Sequence, residues 1–145
     1  MNAAEQAVGL SMTTKIAAVV NLVKQEFPDM KVDLKPWAND PSTRELVDPD
    51  SIDLAFHLPG WSRRCQARSL LLQIRLFRDP ISEEQRAIGV EAVGLSFQGE
   101  QWRLSTVGNW QLMGQNLPQA AVQNQLRQIC EQILGLFSPP TATET

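Results

Sequence analysis

The chain has no tyrosine, one histidine and two cysteines in 145 residues, and each shortage removes a class of chemistry. Cys65 and Cys130 lie far apart and form no Cys-x-x-Cys pair. Two thiols and one imidazole cannot complete the usual Cys/His zinc site. A chain this long builds a core without covalent staples, so both cysteines are expected to be free thiols buried like small hydrophobes. There is no apolar run of about 18 residues, which excludes a membrane-spanning helix. Met1-Asn2-Ala3-Ala4-Glu5 carries an early acid and no basic segment, unlike a secretory signal, so the cytoplasm is the expected location. Gly89, Gly94, Gly99 and Gly108 match neither phosphate-loop nor dinucleotide spacing, mark turns and bulges instead, and leave no cofactor to expect.

Charge is also in short supply. A net charge of −3 gives no general attraction for a polyanion, so nucleic acid is an unfavoured partner. With 43% hydrophobic and 20% charged residues the chain falls in the ordinary globular range, which argues against general disorder.

What is present has clear periodicity. Residues 1–11 show none and are expected to be a flexible arm. Ile16, Val19, Val20, Val23 and Phe27 then form one helical stripe, with Thr13 or Thr14 as a start cap and Pro28 as the stop. From Met30 the period falls to two. Met30, Val32 and Leu34 make a first strand, ended by Pro36, and residues 38–50 have loop composition. Ile52, Leu54, Phe56 and Leu58 make a second, with Pro59-Gly60 read as its turn, and Leu70, Leu72, Ile74 and Leu76 a third.

Ser82-Glu83-Glu84-Gln85 fits a capping box and predicts a short helix over 82–88. Gln98-Gly99 reads as a two-residue hairpin turn, pairing Leu95 with Trp102 and Val93 with Leu104 on one face. Pro118 opens the last helix, whose buried stripe is Val122, Leu126, Ile129, Cys130, Ile133 and Phe137. The expected architecture is α+β: a five-stranded antiparallel sheet covered on one face by the N- and C-terminal helices. It forms a single domain over 12–137, with a disordered tail over 138–145.

Several groups of residues bear on function. His57 lies on the polar side of the second strand, where exposure is the simple reading; Cys65 could pair with it across a hairpin. Asp48 to Asp53 suggests a calcium loop but has no glycine at its sixth position and Pro59 at its twelfth, so no metal site is expected. Six of nine arginines fall within 63–86, and Arg68, Arg75 and Arg78 on one strand could bind an anion or be neutralised by Asp53, Asp79, Glu83 and Glu84.

Tryptophan stands out, with four Trp and no Tyr. Trp102 belongs to the hairpin's apolar face. Trp37, Trp61 and Trp110 sit beside turns, and Trp61 is followed closely by Arg63 and Arg64. Tryptophan and arginine dominate binding hot spots, so Trp61, Arg63, Arg64, Trp37 and Trp110 are the candidate partner-binding residues. The last helix adds a face of Gln119, Gln123, Asn124, Gln125, Gln128 and Gln132, poor in charge as interface centres are.

The element order α-β-β-β-α-β-β-α resembles the type III secretion chaperone-like fold, which includes the YbjN-like proteins. The stretch from Trp102 to Trp110 is similar to segments of small cyanobacterial proteins. The first resemblance implies a homodimer that binds other polypeptides. With no catalytic constellation in the sequence and with tryptophan and arginine candidates for a contact surface, the expected function is non-enzymatic, that of a protein-binding adaptor or chaperone-like assembly factor. The alternative is a regulator that binds a small anionic ligand on the arginine strand.

Overall fold

In the computed structural model, which describes residues 1–37, 48–107 and 109–138, six strands follow one another across a single sheet. The helices are α1 (Ala3–Gln6), α2 (Leu10–Glu26) and α3 (Ala120–Leu136). The strands are β1 (Lys31–Asp33), β2 (Ser51–Ser62), β3 (Ala67–Arg78), β4 (Gln85–Ser96), β5 (Gly99–Ser105) and β6 (Leu112–Gly114). Spatial order equals chain order and every pairing is antiparallel, so the sheet is a simple meander. The α+β class, the antiparallel sheet and the two flanking helices agree with the sequence. Among the described residues the strands number six, not five.

Register explains the core. One cross-strand row runs Val32, Phe56, Leu70, Gly94, Trp102 and Gly114; the next runs Leu54, Leu72, Ala92, Leu104 and Leu112. These rows face the helices. Ile16, Val19 and Val23 of α2, with Val122, Leu126, Ile129 and Ile133 of α3, close over them in one buried cluster. Both stripes are those expected from the 3.6-residue period. The opposite face has its own small apolar row, Ala55, Leu71 and Val93, with Leu95 packed against it.

Several expectations are corrected. The arm over 1–11 is docked at its start: Asn2 and Ala3 are buried, and Asn2 bridges Asp53 in parallel. β1 pairs only with residues 55–57 of β2, so the earlier part of that edge has open backbone groups that the N-terminal residues satisfy. Helix α2 starts at Leu10 after Gly9, not at Thr13 or Thr14. Pro118 precedes α3, which starts at Ala120, and its carbonyl accepts Gln123 Nε2 at 2.8 Å. The tail beyond Ser138, most of the 38–50 loop and Gly108 lie outside the described residues.

Pro59-Gly60 is not a turn but part of β2, and the chain reverses over Arg63–Gln66. Proline has no N–H for a ladder, and the register slips across it: His57 pairs with Ser69, whereas Ser62 pairs with Ala67. The helix expected over 82–88 is replaced by the start of β4. Asp79 Oδ1 accepts the Ile81 and Ser82 N–H groups at 2.8 and 3.3 Å, closing a tight loop that lets Gln85 meet Arg78. Those two backbone donors hold the Asp79 carboxyl below its ordinary range. Nucleating so short a helix is unfavourable, whereas Gln85, Arg86 and Ala87 pair with Arg78, Phe77 and Leu76.

The hairpin turn lies at Phe97-Gln98, one residue earlier than expected, and a bulge follows. Ser96 pairs with Gly99 and Leu95 with Glu100, but Gly94 pairs with Trp102 and Ala92 with Leu104. Trp102 and Leu95 therefore face opposite sides. Packing dictates this. A Cβ on Gly94 would collide with the Trp102 indole, so the largest buried ring lies over a residue without a side chain. The indole Nε1 donates to the Cys65 carbonyl at 2.7 Å, tying the β4–β5 hairpin to the β2–β3 turn.

Candidate functional site around Trp61

In a meander, alternate turns emerge at the same end of the sheet, so the β2–β3 turn and the tip of the β4–β5 hairpin are neighbours. The irregular stretch after Pro59 takes Trp61 out of the buried alternation, and the residue is 47% exposed. Trp61 lines two clefts. The first, of about 380 Å³, is formed by Glu26, Phe27, Pro28 and Asp29 at the end of α2, by residues 58–62, and by Arg64 and Cys65. The second, of about 310 Å³, is formed by Trp61, Arg68, Ser96, Phe97, Gln98 and Gln101.

The walls are held from behind. The Arg64 carbonyl accepts the Gln119 N–H at 2.9 Å, fixing the turn to the start of α3. Gln66, at φ +50°, reaches the Arg63 carbonyl through Nε2 at 2.8 Å, and Ser62 Oγ accepts the Cys65 N–H at 3.1 Å. At the hairpin tip the Arg68 guanidinium carbon lies 3.8 Å from the centroid of the Phe97 ring. Phe97 is 85% exposed, so a large ring is held in solvent by stacking with a cation. Gln101 Nε2 donates to Ser96 Oγ at 2.9 Å.

Among the described residues no carboxylate lies within ion-pair distance of Arg63, Arg64 or Arg68. Arg64 makes only a long contact to Gln125 Oε1 at 3.5 Å. This end of the molecule therefore combines exposed aromatic area with guanidinium groups that have no acidic partner among those residues.

The other candidates lie elsewhere. Arg68 and Arg78 are ten residues apart on β3, about 33 Å along an extended strand, so the proposed anion-binding strip does not converge. Arg75, between them, is bound to Glu91 at 3.2 Å and Asp48 at 3.3 Å; Arg103 shares Glu91 and also meets Glu100 at 2.8 Å. The Glu100 hydrogen bond raises the Arg103 guanidinium further above its ordinary value. Trp37 packs at the sheet edge, with Nε1 donating to the buried Asp53 at 2.6 Å. Trp110 packs against the main core. Neither joins Trp61.

His57 is engaged by its sheet neighbours, Nδ1 with Ser69 Oγ at 2.8 Å and Nε2 with Asp33 Oδ2 at 3.2 Å, and not by Cys65. Both cysteines are free and buried. Burial, and secondarily the charge of Glu131, pushes the Cys130 thiol up to about 12.

Of the residues singled out from the sequence, Trp61 and Arg64 line the first cleft, Arg68, expected in the anion-binding strip, lines the second with Trp61, and Arg63 lines neither; Phe97, Gln98, Gln101 and the acidic pair Glu26 and Asp29 were not among the candidates. The available signal for Phe97 is its position directly before Gln98-Gly99, the expected hairpin turn. Glu26 and Asp29 carried no local signal, since they reach this end only because α2 stops there.

A family model described as a domain of unknown function matches residues 4–139. The chain belongs to that family. Its span takes in all six strands, both long helices and both clefts. No curated protein and no solved structure matches the chain. Among the described residues, no helix is long and apolar enough to cross a membrane, and no group of three His, Cys, Asp or Glu side chains could hold a metal ion.

Proposed function

We propose that this family member is a non-enzymatic protein-binding module, an adaptor or chaperone-like assembly factor, whose contact surface is the end of the sheet around Trp61. The observation that carries the reading is the placement of Trp61: a half-exposed indole that forms the common wall of two clefts, with Arg64 on one side and the Arg68–Phe97 stack on the other. Aromatic and arginine side chains supply contact area at low entropic cost and are the usual anchors of polypeptide interfaces. Dimerisation through the same surface belongs to the proposal, on the strength of the exposed Trp61 and Phe97 rings alone.

Trp61→Ala separates an anchor from a structural lid. An anchor leaves chemical denaturation close to wild type, because half of the ring is already in water, and lowers association by about 2 kcal/mol or more. Light scattering reads self-association, and calorimetry against a partner recovered from native lysate reads the heteromeric case. A loss of about 3 kcal/mol or more in monomer stability with association unchanged overturns the proposal.

A further inference from the structure

The two clefts beside Trp61 differ in charge. On one side Glu26 and Asp29 stand with Arg64. On the other, Arg68 is the charged member of a lining otherwise made of Trp61, Phe97, Ser96, Gln98 and Gln101. Glu26 Oε2 accepts Gln125 Nε2 at 3.0 Å, which positions its carboxylate without neutralising it. A surface that is acidic-leaning on one side of an aromatic ring and cationic on the other selects an occupant of the reverse polarity.

We propose that the pair of clefts takes one extended polypeptide segment of asymmetric charge: an apolar side chain against Trp61, a carboxylate on the Arg68 side, and a cationic residue on the Glu26 and Asp29 side. This inference rests on the reading of the Trp61 end as a binding surface and adds the chemistry of what binds there.

Two observations favour a polypeptide held by its side chains. A nucleic-acid strand brings a negative phosphate at every step, which Glu26 and Asp29 oppose and a net charge of −3 does not assist. A polypeptide can change sign within a few residues. The outer edge of β2 past His57 has no pairing with β1, yet Pro59 interrupts its row of N–H donors. That interruption disfavours a partner added as a full extra strand and leaves recognition to the ring, the charges and the Gln98, Gln101 and Ser96 groups.

The test follows the Trp61 indole N–H resonance of isotopically labelled protein, assigned with Trp61→Phe, during titration with short synthetic peptides. One peptide has aspartates at one end, lysines at the other, and leucine and phenylalanine between. The controls keep the same centre with acidic residues at both ends or basic residues at both ends, and a single-stranded oligothymidylate is titrated in parallel. The asymmetric peptide should shift the Trp61 signal and bind more tightly than each control. Arg68→Glu should weaken it by roughly three- to tenfold and move preference towards the all-basic peptide, while Arg68→Gln should give a smaller loss. The inference is overturned if the all-acidic peptide or the oligonucleotide binds as tightly, if Arg68→Glu leaves the asymmetric peptide unaffected, or if no peptide moves the Trp61 signal. Should that happen while Trp61→Ala still lowers native association, the binding surface stands and only the charge-asymmetric occupant falls. If association is also unchanged, both fall.

Discussion

Arg68 and Arg75 stand seven residues apart on one strand and live in different chemistry. Arg75 lies opposite Gly89, which offers no side chain, and near Glu91, which pairs with Gln73 two residues along; it is held by that carboxylate and by Asp48. Arg68 lies near the hairpin tip and has an aromatic ring for a neighbour instead. The anticipated neutralising acids were Asp53, Asp79, Glu83 and Glu84. None of them pairs with Arg75, whose partners are set by register and by a residue reached through the β1–β2 connection. An arginine's neighbours in the ladder, not its neighbours in sequence, decide whether its charge is satisfied within the fold or left to face a partner.

The comparison breaks most severely if the strand end itself is lost. Trp102 fills the row between Gly94 and Gly114 and holds the Cys65 carbonyl, so it fastens the β2–β3 turn to the β4–β5 hairpin. Trp102→Ala should cost about 3–5 kcal/mol in chemical denaturation. Amide exchange should rise first around residues 62–68, while the Arg75–Glu91 region keeps more of its protection. Uniform loss of protection would mean that the two regions are not separable units.

A smaller effect tests the tip alone. Gly99 has φ +111°, a conformation that β-branched residues strongly resist, and open space where a side chain would go. Gly99→Val should therefore destabilise by backbone strain without a steric clash, by about 1–3 kcal/mol. It should also disturb the Phe97–Arg68 stack, seen as a changed Phe97 ring resonance, with the Arg75 ion pairs intact. A variant that melts with wild type would contradict the observed turn.

The smallest effect compares the two arginines directly. Arg75→Ala should cost well under 1 kcal/mol, because the Arg75 side chain is about one-third exposed, and the difference from wild type should shrink as salt is raised. Arg68→Ala should cost a similar amount, about 0.5 kcal/mol, with weaker salt dependence, because part of its contact is with a ring face. Equal salt dependence of the two variants would remove the distinction.

Much of this architecture could be read along the chain. The stripes of α2 and α3 and the inward residues of β2 and β3 follow from periods of 3.6 and two, which burial on one face imposes. The errors cluster where local rules compete. Ser82-Glu83-Glu84-Gln85 has the chemistry of a helix start, but Asp79 closes the loop and strand pairing takes the segment. Val93, Leu95, Trp102 and Leu104 are all apolar, so alternation alone could not show that the sheet has apolar rows on both faces. Half of the candidate site was legible as Trp61 and its arginines. Phe97 and the carboxylates of Glu26 and Asp29 were not, because they converge from separate elements.

By itself the sequence determined the class of fold, the two helical stripes, the inward faces of the central strands and the burial of both cysteines. These depend on composition and periodicity over neighbouring residues, and the gain from burying apolar area is large enough to enforce them locally. Only the tertiary structure decided the hairpin register, the sixth strand, the split between satisfied and unsatisfied arginines, and the two clefts that Trp61 lines. Each turns on contacts between residues distant in the chain. There, a glycine beneath an indole or a proline that interrupts a ladder shifts the balance by only a few kcal/mol, too little to leave a periodic trace in the sequence.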